Sequence, residues 1–138
     1  MKPMKATNPQ PTILLIDDEQ KLLDLISLRL RLLGFQVITA TSGEDGVLRA
    51  EEHHPDLIIL DVTLPGEDGL TVCGRLTQSE TLGSIPVLML TARSEVEDAN
   101  RAMAAGARDY MVKPYDPVVL QAKIRRLLGR EKMASTRS

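Results

Sequence analysis

The sequence is poor in aromatic residues and in cysteine. It contains no tryptophan, one phenylalanine and two tyrosines among its 138 residues, and Cys73 is its single cysteine. A single cysteine excludes a disulfide within the chain and is typical of proteins from a reducing compartment. Any packing role that requires an aromatic ring must fall to Phe35, Tyr110 or Tyr115.

Long apolar runs and an excess of basic residues are also missing. No apolar run approaches the ~20 residues that a membrane span needs, and the amino-terminal segment MKPMKATNPQP lacks the apolar stretch of a secretory signal. The formal net charge is −2, whereas nucleic-acid-binding domains usually carry a basic excess. We therefore expect a cytoplasmic domain with no direct contact to membrane or nucleic acid, preceded by a disordered leader over residues 1–11.

Short apolar segments alternate regularly with amphipathic ones along the rest of the chain. Five apolar segments predict strands, and each is followed by apolar residues at helical spacing. This alternation predicts an α/β fold, a doubly wound five-stranded parallel sheet with five helices and right-handed crossovers. We expect one domain over residues 12–129, followed over 130–138 by a polar tail or the start of a linker. The predicted strands are residues 12–16, 35–40, 56–60, 86–90 and 109–112.

Capping residues predict where several of the helices begin and end. Side chains that can accept a hydrogen bond from the first helical turn stand at four positions, which are Ser42, Asp68, Ser94 and Asp116. Glycines that can adopt the left-handed conformation after a helix stand at three positions, which are Gly34, Gly106 and Gly129.

Four of the five predicted strands are followed at once by a polar or charged side chain. These side chains are Asp17 and Asp18 after the first strand, Asp61 after the third, Thr91 after the fourth and Lys113 after the fifth. Because the carboxyl ends of parallel strands meet at one crevice, we expect these side chains to lie close together.

The expected cluster suits phosphoryl chemistry. Three crowded carboxylates repel one another unless a cation lies among them, and ligands that are all oxygen suit Mg²⁺. Lys113 and Mg²⁺ could neutralise the oxygens of a phosphoryl group, and Thr91 could donate a hydrogen bond to them. An ionised Asp61 could attack phosphorus and form an acyl phosphate, while Asp17 and Asp18 are better placed to hold the metal.

This set of motifs resembles the receiver domain of two-component response regulators. The matching motifs are the acidic pair Asp17-Asp18, the stretch from Asp61 to Gly69, Thr91-Ala92 and Lys113-Pro114, and the resemblance covers residues 12–128. It implies a flavodoxin-like sheet in the order 2-1-3-4-5. It also implies transfer of a phosphoryl group to Asp61 from a sensor histidine kinase or a phosphotransfer protein.

The resemblance implies a metal site as well. Mg²⁺ would be held by Asp18, Asp61 and the backbone carbonyl of Thr63, with assistance from Asp17. We therefore expect Asp18→Ala to weaken Mg²⁺ binding more than Asp17→Ala does. The Lys113–Pro114 peptide bond is expected to be cis.

The resemblance further implies a switch. Thr91 and Tyr110 match the switch pair of the family, and phosphorylation is expected to alter the surface formed by the fourth helix, fifth strand and fifth helix. A downstream effector domain or protein would bind there. Because Arg108 stands where dimerising relatives carry an acid, we expect a monomer or a weak homodimer. Arg93, two residues past Thr91, is expected to modulate hydrolysis of the aspartyl phosphate.

Two other functions compete with this interpretation. A phosphatase of the haloacid dehalogenase type also uses an aspartate nucleophile, but it places a second acid two residues later, where this chain has Thr63. A flavodoxin-like nucleotide-binding protein would need a glycine-rich loop after the first strand, where acidic residues stand instead. The leading interpretation is a signalling domain that catalyses only its own phosphorylation and dephosphorylation.

Two remaining features have simpler explanations. His53 and His54 are adjacent, and neighbouring side chains on a helix point about 100° apart, so the pair is a poor chelator. Cations also suit the carboxyl end of a helix. Cys73 falls at an apolar helical position, which indicates a packing residue.

Overall fold

A computed structural model describes residues 10–64, 66–92 and 96–136 of the chain. Its main sheet has five parallel strands in the order β2-β1-β3-β6-β7. This is the predicted order 2-1-3-4-5, because a two-stranded antiparallel sheet of β4 and β5 lies between the third and fourth main strands in sequence. The strands are β1 Thr12–Ile16, β2 Gln36–Ala40, β3 Leu57–Asp61, β4 Thr63–Leu64, β5 Glu67–Asp68, β6 Val87–Thr91 and β7 Asp109–Val112.

Five helices cover both faces of the main sheet, as predicted. They are α1 Gln20–Leu32, α2 Gly43–His53, α3 Gly69–Thr77, α4 Val96–Ala104 and α5 Pro117–Thr136. One core lies between the sheet and α2, α3 and α4, and the other lies between the sheet and α1 and α5. Successive residues of a strand enter opposite cores, which explains why the central strands are apolar at every position. Among the described helices, none is long and apolar enough to cross a membrane.

The predicted caps of the described helices are confirmed except at one end. Ser42, Asp68 and Asp116 accept hydrogen bonds from the backbone N–H groups of Asp45, Leu70 and Val118. Gly34 and Gly106 follow α1 and α4 with φ of +100° and +104° and close Schellman motifs, in which Phe35 N–H donates to Leu30 and Ala107 N–H to Ala102. Ser94, Arg93 and most of the expected leader lie outside the described residues.

The prediction that the last helix ends at Gly129 is wrong. α5 continues through Gly129 to Thr136. A glycine inside a helix costs only about 1 kcal/mol relative to alanine. The segment Arg-Glu-Lys-Met-Ala that follows Gly129 consists of good helix formers, so their combined propensity outweighs the one unfavourable residue.

The boundaries of two central strands shift in a way that bears on the expected cluster. β3 and β6 both end one residue later than predicted, so that Asp61 and Thr91 are the last strand residues. Their backbones are therefore fixed by the sheet. Val62 N–H donates to Leu90, and Lys113 N–H donates to Thr91 at 2.7 Å.

Candidate functional site

The pairing of the strands brings the acidic side chains together at the carboxyl end of the sheet. Ile16 of β1 is paired with Leu60 of β3, so the next residues, Asp17 and Asp61, leave the sheet side by side. Asp17 is fully buried and Asp61 is 4% exposed. Thr91 ends the neighbouring strand β6 and is also buried.

Lys113 reaches into this end of the sheet from the loop after β7. Its Nζ lies 3.0 Å from Oδ2 of Asp17 and 3.3 Å from Oδ2 of Asp61. Each acid also accepts a backbone N–H two residues on, Asp17 from Glu19 at 3.0 Å and Asp61 from Thr63 at 3.2 Å. These bonds satisfy part of the carboxylates' capacity and fix the orientation of both side chains.

Burial and neighbouring charges act on the pKa values of both Asp61 and Lys113. Burial and the nearby charge of Asp17 raise the pKa of Asp61 to about 6, although Lys113 and the Thr63 N–H act in the opposite direction. Burial alone would lower the pKa of Lys113, but its contacts with Asp17 and Asp61 outweigh burial and raise it. Lys113 is therefore charged at neutral pH, and its charge lowers the pKa of Asp61 by less than burial and Asp17 together raise it.

A third carboxylate, that of Asp18, lies beside the other two and is exposed to solvent. Asp17, Asp18 and Asp61 each offer an oxygen, and these oxygens lie within 4.8 Å of one another. Asp18 is exposed, so an ion could reach the group from outside. The donors are all carboxylate oxygens, which suits a hard divalent cation, and the charge of Asp17 adds to burial in raising the pKa of Asp61. This group of side chains could hold a metal ion.

The loop after Asp61 is more ordered than the sequence predicts. β4 and β5 form a short hairpin in which Thr63 pairs with Asp68 and Leu64 pairs with Glu67. α3 then begins at Gly69, whose N–H donates to Val62 at 2.8 Å. A Cβ at Gly69 would lie 2.5 Å from the carbonyl oxygen of Asp61, so only glycine allows this approach.

The expected switch residues lie on neighbouring strands. Tyr110 of β7 is paired with Met89 of β6 and packs against the core that Met89 helps to form. Thr91 is two residues past Met89, and side chains alternate along a strand, so Thr91 and Tyr110 project toward the same face. The Lys113–Pro114 bond is cis.

The histidines and the cysteine stand apart from the acidic cluster. His53 and His54 are both exposed at the end of α2, where His54 is the helix cap with φ of +47°. Cys73 of α3 is fully buried, with Sγ 3.5 Å from the carbonyl oxygen of Ala105. Burial raises the pKa of the Cys73 thiol to about 11. These positions agree with the simple interpretations of both features.

Three further ion pairs among the described residues were not predicted from the sequence. Glu67 in the hairpin binds Arg75 of α3. Asp109 at the start of β7 binds Lys123 and Arg126 of α5. The residues of each pair are eight or more positions apart, so helical spacing gives no signal for them.

Comparison with known proteins identifies the family. The sequence model of the response regulator receiver domain family matches residues 13–125. The DNA-binding dual master transcriptional regulator RpaA of Synechocystis is 44% identical over 120 residues, which cover 87% of this chain and 50% of RpaA. The alkaline phosphatase synthesis transcriptional regulatory protein PhoP of Bacillus subtilis is 41% identical over 126 residues, which cover 91% of this chain and 52% of PhoP. The chain thus spans about half the length of these relatives.

Solved structures agree with these relatives. The chemotaxis protein CheY4 of Vibrio cholerae has a TM-score of 0.82 at 28% identity, covering 86% of this chain and 99% of CheY4. The BeF₃-activated receiver domain of Klebsiella pneumoniae RstA has a TM-score of 0.78 at 30% identity, covering 85% and 97%. None of these matches supports the phosphatase alternative. With its five-stranded sheet and its acidic cluster, the chain belongs to the response regulator receiver domains of two-component signal transduction.

Proposed function

We propose that this domain accepts a phosphoryl group on Asp61 from a sensor histidine kinase or a phosphotransfer protein, in a Mg²⁺-dependent reaction. The observation that carries the proposal is the position of Asp61, the last residue of a central strand, beside Lys113 and two further carboxylates. Asp61 is the acid whose orientation is fixed both by Lys113 and by the N–H of Thr63.

Asp18, Asp61 and the backbone carbonyl of Thr63 would hold the metal, with Asp17 assisting. When bound, Mg²⁺ supplies positive charge to the phosphoryl oxygens and lowers the repulsion among the carboxylates. Asp17 holds Lys113 at 3.0 Å and keeps its ammonium group beside Asp61.

In the transfer step, a carboxylate oxygen of Asp61 attacks phosphorus and the bond from phosphorus to the donor's histidine nitrogen breaks. Lys113 neutralises charge on the phosphoryl oxygens, and the Thr91 hydroxyl donates a hydrogen bond to one of them. Water later attacks phosphorus, the bond from phosphorus to the Asp61 oxygen breaks, and inorganic phosphate leaves the Asp61 carboxylate free. The domain therefore promotes only its own phosphorylation and dephosphorylation. Arg93, two residues past Thr91 in the sequence, is expected to modulate the second step.

The signal would leave the site through Thr91 and Tyr110. A hydroxyl that turns toward the phosphoryl group vacates space on the face that the Tyr110 ring also contacts. The ring could then turn inward and remodel the surface of α4, β7 and α5. We propose that a downstream effector domain or protein binds this surface, that the domain is a monomer or weak homodimer, and that it works in the cytoplasm.

The phosphoacceptor is tested by mass spectrometry of the intact protein after incubation with acetyl phosphate and Mg²⁺. We expect one phosphoryl adduct in the wild type and in the control Asp109→Asn, and none in Asp61→Asn. An adduct in Asp61→Asn at the wild-type level would overturn the assignment.

The metal site is tested by calorimetric titration with Mg²⁺. We expect millimolar metal to bind the wild type, and Asp18→Ala to weaken binding more than Asp17→Ala. A wild type without measurable affinity would refute the metal assignment.

The switch is tested by amide exchange and by sedimentation of the free and the beryllofluoride-bound protein. We expect changed protection between residues 92 and 115, together with weak association at most. Changes confined to the loop after Asp61 would reject the coupling, and a tight dimer of the free protein would reject the expected weak association.

A further inference from the structure

The hairpin after Asp61 needs support from outside itself. It contains only two residue pairs, Thr63 with Asp68 and Leu64 with Glu67, and isolated hairpins are marginally stable even when they are longer. Yet Thr63 N–H must stay beside the Asp61 carboxylate, 3.2 Å from Oδ1. Some contact therefore has to hold the hairpin against the body of the domain.

The Glu67 side chain supplies one such contact. Its Oε2 lies 2.7 Å from Nη1 of Arg75, so the hairpin is tied to α3. The Glu67 side chain is 25% exposed and that of Arg75 is 46% exposed. The pair is therefore partly screened by solvent, and its strength is modest.

The other oxygen of Glu67 rests against the start of α2. A Cβ built on Gly43, the first residue of α2, would lie 2.8 Å from Oε1 of Glu67. The carboxylate thus lies beside the amino end of a helix, where the unpaired N–H groups carry partial positive charge. Glu67 is paired with Arg75 on one side and lies beside the helix terminus on the other.

We propose that Glu67 is a positioning residue for the metal site, because its contacts with Arg75 and with the start of α2 fix the hairpin and, through it, the backbone of Thr63 beside Asp61. This inference rests on the proposed function, which places the Thr63 carbonyl among the metal ligands. Among the hydrogen bonds and ion pairs of the described residues, none joins Glu67 to the Asp61 carboxylate. Glu67 therefore affects how tightly Mg²⁺ binds and leaves the transfer step itself unchanged.

The expected effect is a change in metal affinity at constant maximal rate. A partly exposed ion pair corresponds to at most about fivefold in an equilibrium constant. Glu67→Gln is therefore expected to raise the Mg²⁺ dissociation constant about threefold to fivefold. The rate of phosphorylation by acetyl phosphate at saturating Mg²⁺ is expected to equal that of the wild type.

The experiment compares five proteins with the wild type by Mg²⁺ calorimetry, by phosphorylation rate against Mg²⁺ concentration, and by thermal unfolding. The variants are Glu67→Gln, Arg75→Gln, the double variant, the conservative Arg75→Lys and the control Arg49→Gln. Arg49 forms a comparable exposed pair with Asp45 on α2, with side chains 43% and 44% exposed. We expect the double variant to match Glu67→Gln, and Arg75→Gln to lose no more affinity than Glu67→Gln because the Glu67 carboxylate stays beside the start of α2. We expect Arg75→Lys to keep most of the wild-type affinity and Arg49→Gln to match the wild type.

Two results would overturn the inference alone. They are wild-type Mg²⁺ affinity in Glu67→Gln, with or without a loss of maximal rate, and an equal loss of affinity in Arg49→Gln. A wild-type protein that binds no Mg²⁺ and accepts no phosphoryl group would instead overturn the proposed function, and this inference would fall with it.

Discussion

Two clusters of acidic and basic side chains in this domain use similar residues in opposite proportions. At the carboxyl end of the sheet, Asp17 and Asp61 share Lys113, the one cation paired with them among the described residues, and Asp18 stands close by. At the flank of the domain, the single acid Asp109 binds two cations. Its Oδ2 accepts from Lys123 at 2.9 Å and from Arg126, and its Oδ1 accepts the N–H of Tyr110.

The proportion of charges decides what each cluster can do. The flank cluster satisfies its one carboxylate three times over and ties β7 to α5, so it needs no further partner. In the central cluster three carboxylates lie around Lys113, and the charge of Asp17 adds to burial in raising the pKa of Asp61. A cation that enters the central cluster is attracted by its three carboxylates, whereas a cation that approaches Asp109 is repelled by Lys123 and Arg126.

Removing the central cation is expected to have the largest effect on stability. Lys113→Ala leaves Asp17 and Asp61 buried without their counter-charge, and breaking a buried ion pair in this way costs about 3 kcal/mol or more. Urea unfolding with and without Mg²⁺ measures the change. We expect Mg²⁺ to restore part of the lost free energy of unfolding. A variant as stable as the wild type without metal would show that the acids are not strained.

Removing an acid from the same cluster is expected to act in the opposite direction. The folded-state pKa of Asp61 is raised from 3.8 to about 6, so the protonated form is favoured in the folded state. The associated stability is fully present below about pH 4 and is lost as the pH rises through about 6. Asp61→Asn should therefore stabilise the metal-free protein at neutral pH by up to about 3 kcal/mol.

Chemical unfolding at about pH 4 and about pH 8 tests this expectation in both proteins. The difference in free energy of unfolding between Asp61→Asn and the wild type should be small at the lower pH and large at the higher pH. Saturating Mg²⁺ should narrow it by stabilising the wild type. A gap that is independent of pH would mean that the Asp61 carboxylate is not destabilised by its surroundings.

Removing the acid of the flank cluster is expected to lower the free energy of unfolding. Asp109→Asn removes the charge that Lys123 and Arg126 share, and lost hydrogen bonds to a charged group are worth about 1.5–3 kcal/mol. We expect a loss toward the lower end of that range because Arg126 is more than half exposed. The Mg²⁺ affinity should remain at the wild-type value, and a changed affinity would link the two clusters.

The smallest effect is expected on the surface of α2. Arg49 and Asp45 form an exposed pair one helical turn apart at 3.4 Å, and such pairs are worth about 0.3–0.5 kcal/mol. Arg49→Ala should change the free energy of unfolding by no more than that, and added salt should reduce the difference further. A loss as large as that of Asp109→Asn would show that exposure does not control the strength of these pairs.

The features predicted correctly from the sequence depend on signals carried by a few neighbouring residues. The parallel five-stranded sheet, the caps at Ser42 and Asp68, and the meeting of Asp17, Asp61 and Lys113 follow from apolar runs and from the residues that end them. The order of the strands was predicted from the resemblance to receiver domains. Parallel strands then bring together what the chain separates by up to 96 positions.

The features that were missed depend on contacts between elements or on competing propensities. A hairpin of two-residue strands is too short to show periodicity, and the bond from Glu67 to Arg75 exists only because α3 folds back beside it. The extension of α5 past Gly129 required weighing one glycine against the helix formers that follow it. Asp109 gave no signal because its partners lie on α5, a turn of helix apart.

The reactivity of the single cysteine can report how often the helices around it separate. Cys73 is completely enclosed between α3 and the end of α4, and its pKa of about 11 keeps it protonated and unreactive while enclosed. An alkylating reagent can reach it only when these helices part, so the labelling rate reports how often they do. Since the chain has no other cysteine, the alkylation rate of the wild-type protein can be measured with and without a phosphoryl group. Tighter packing between α3 and α4 would appear as slower alkylation.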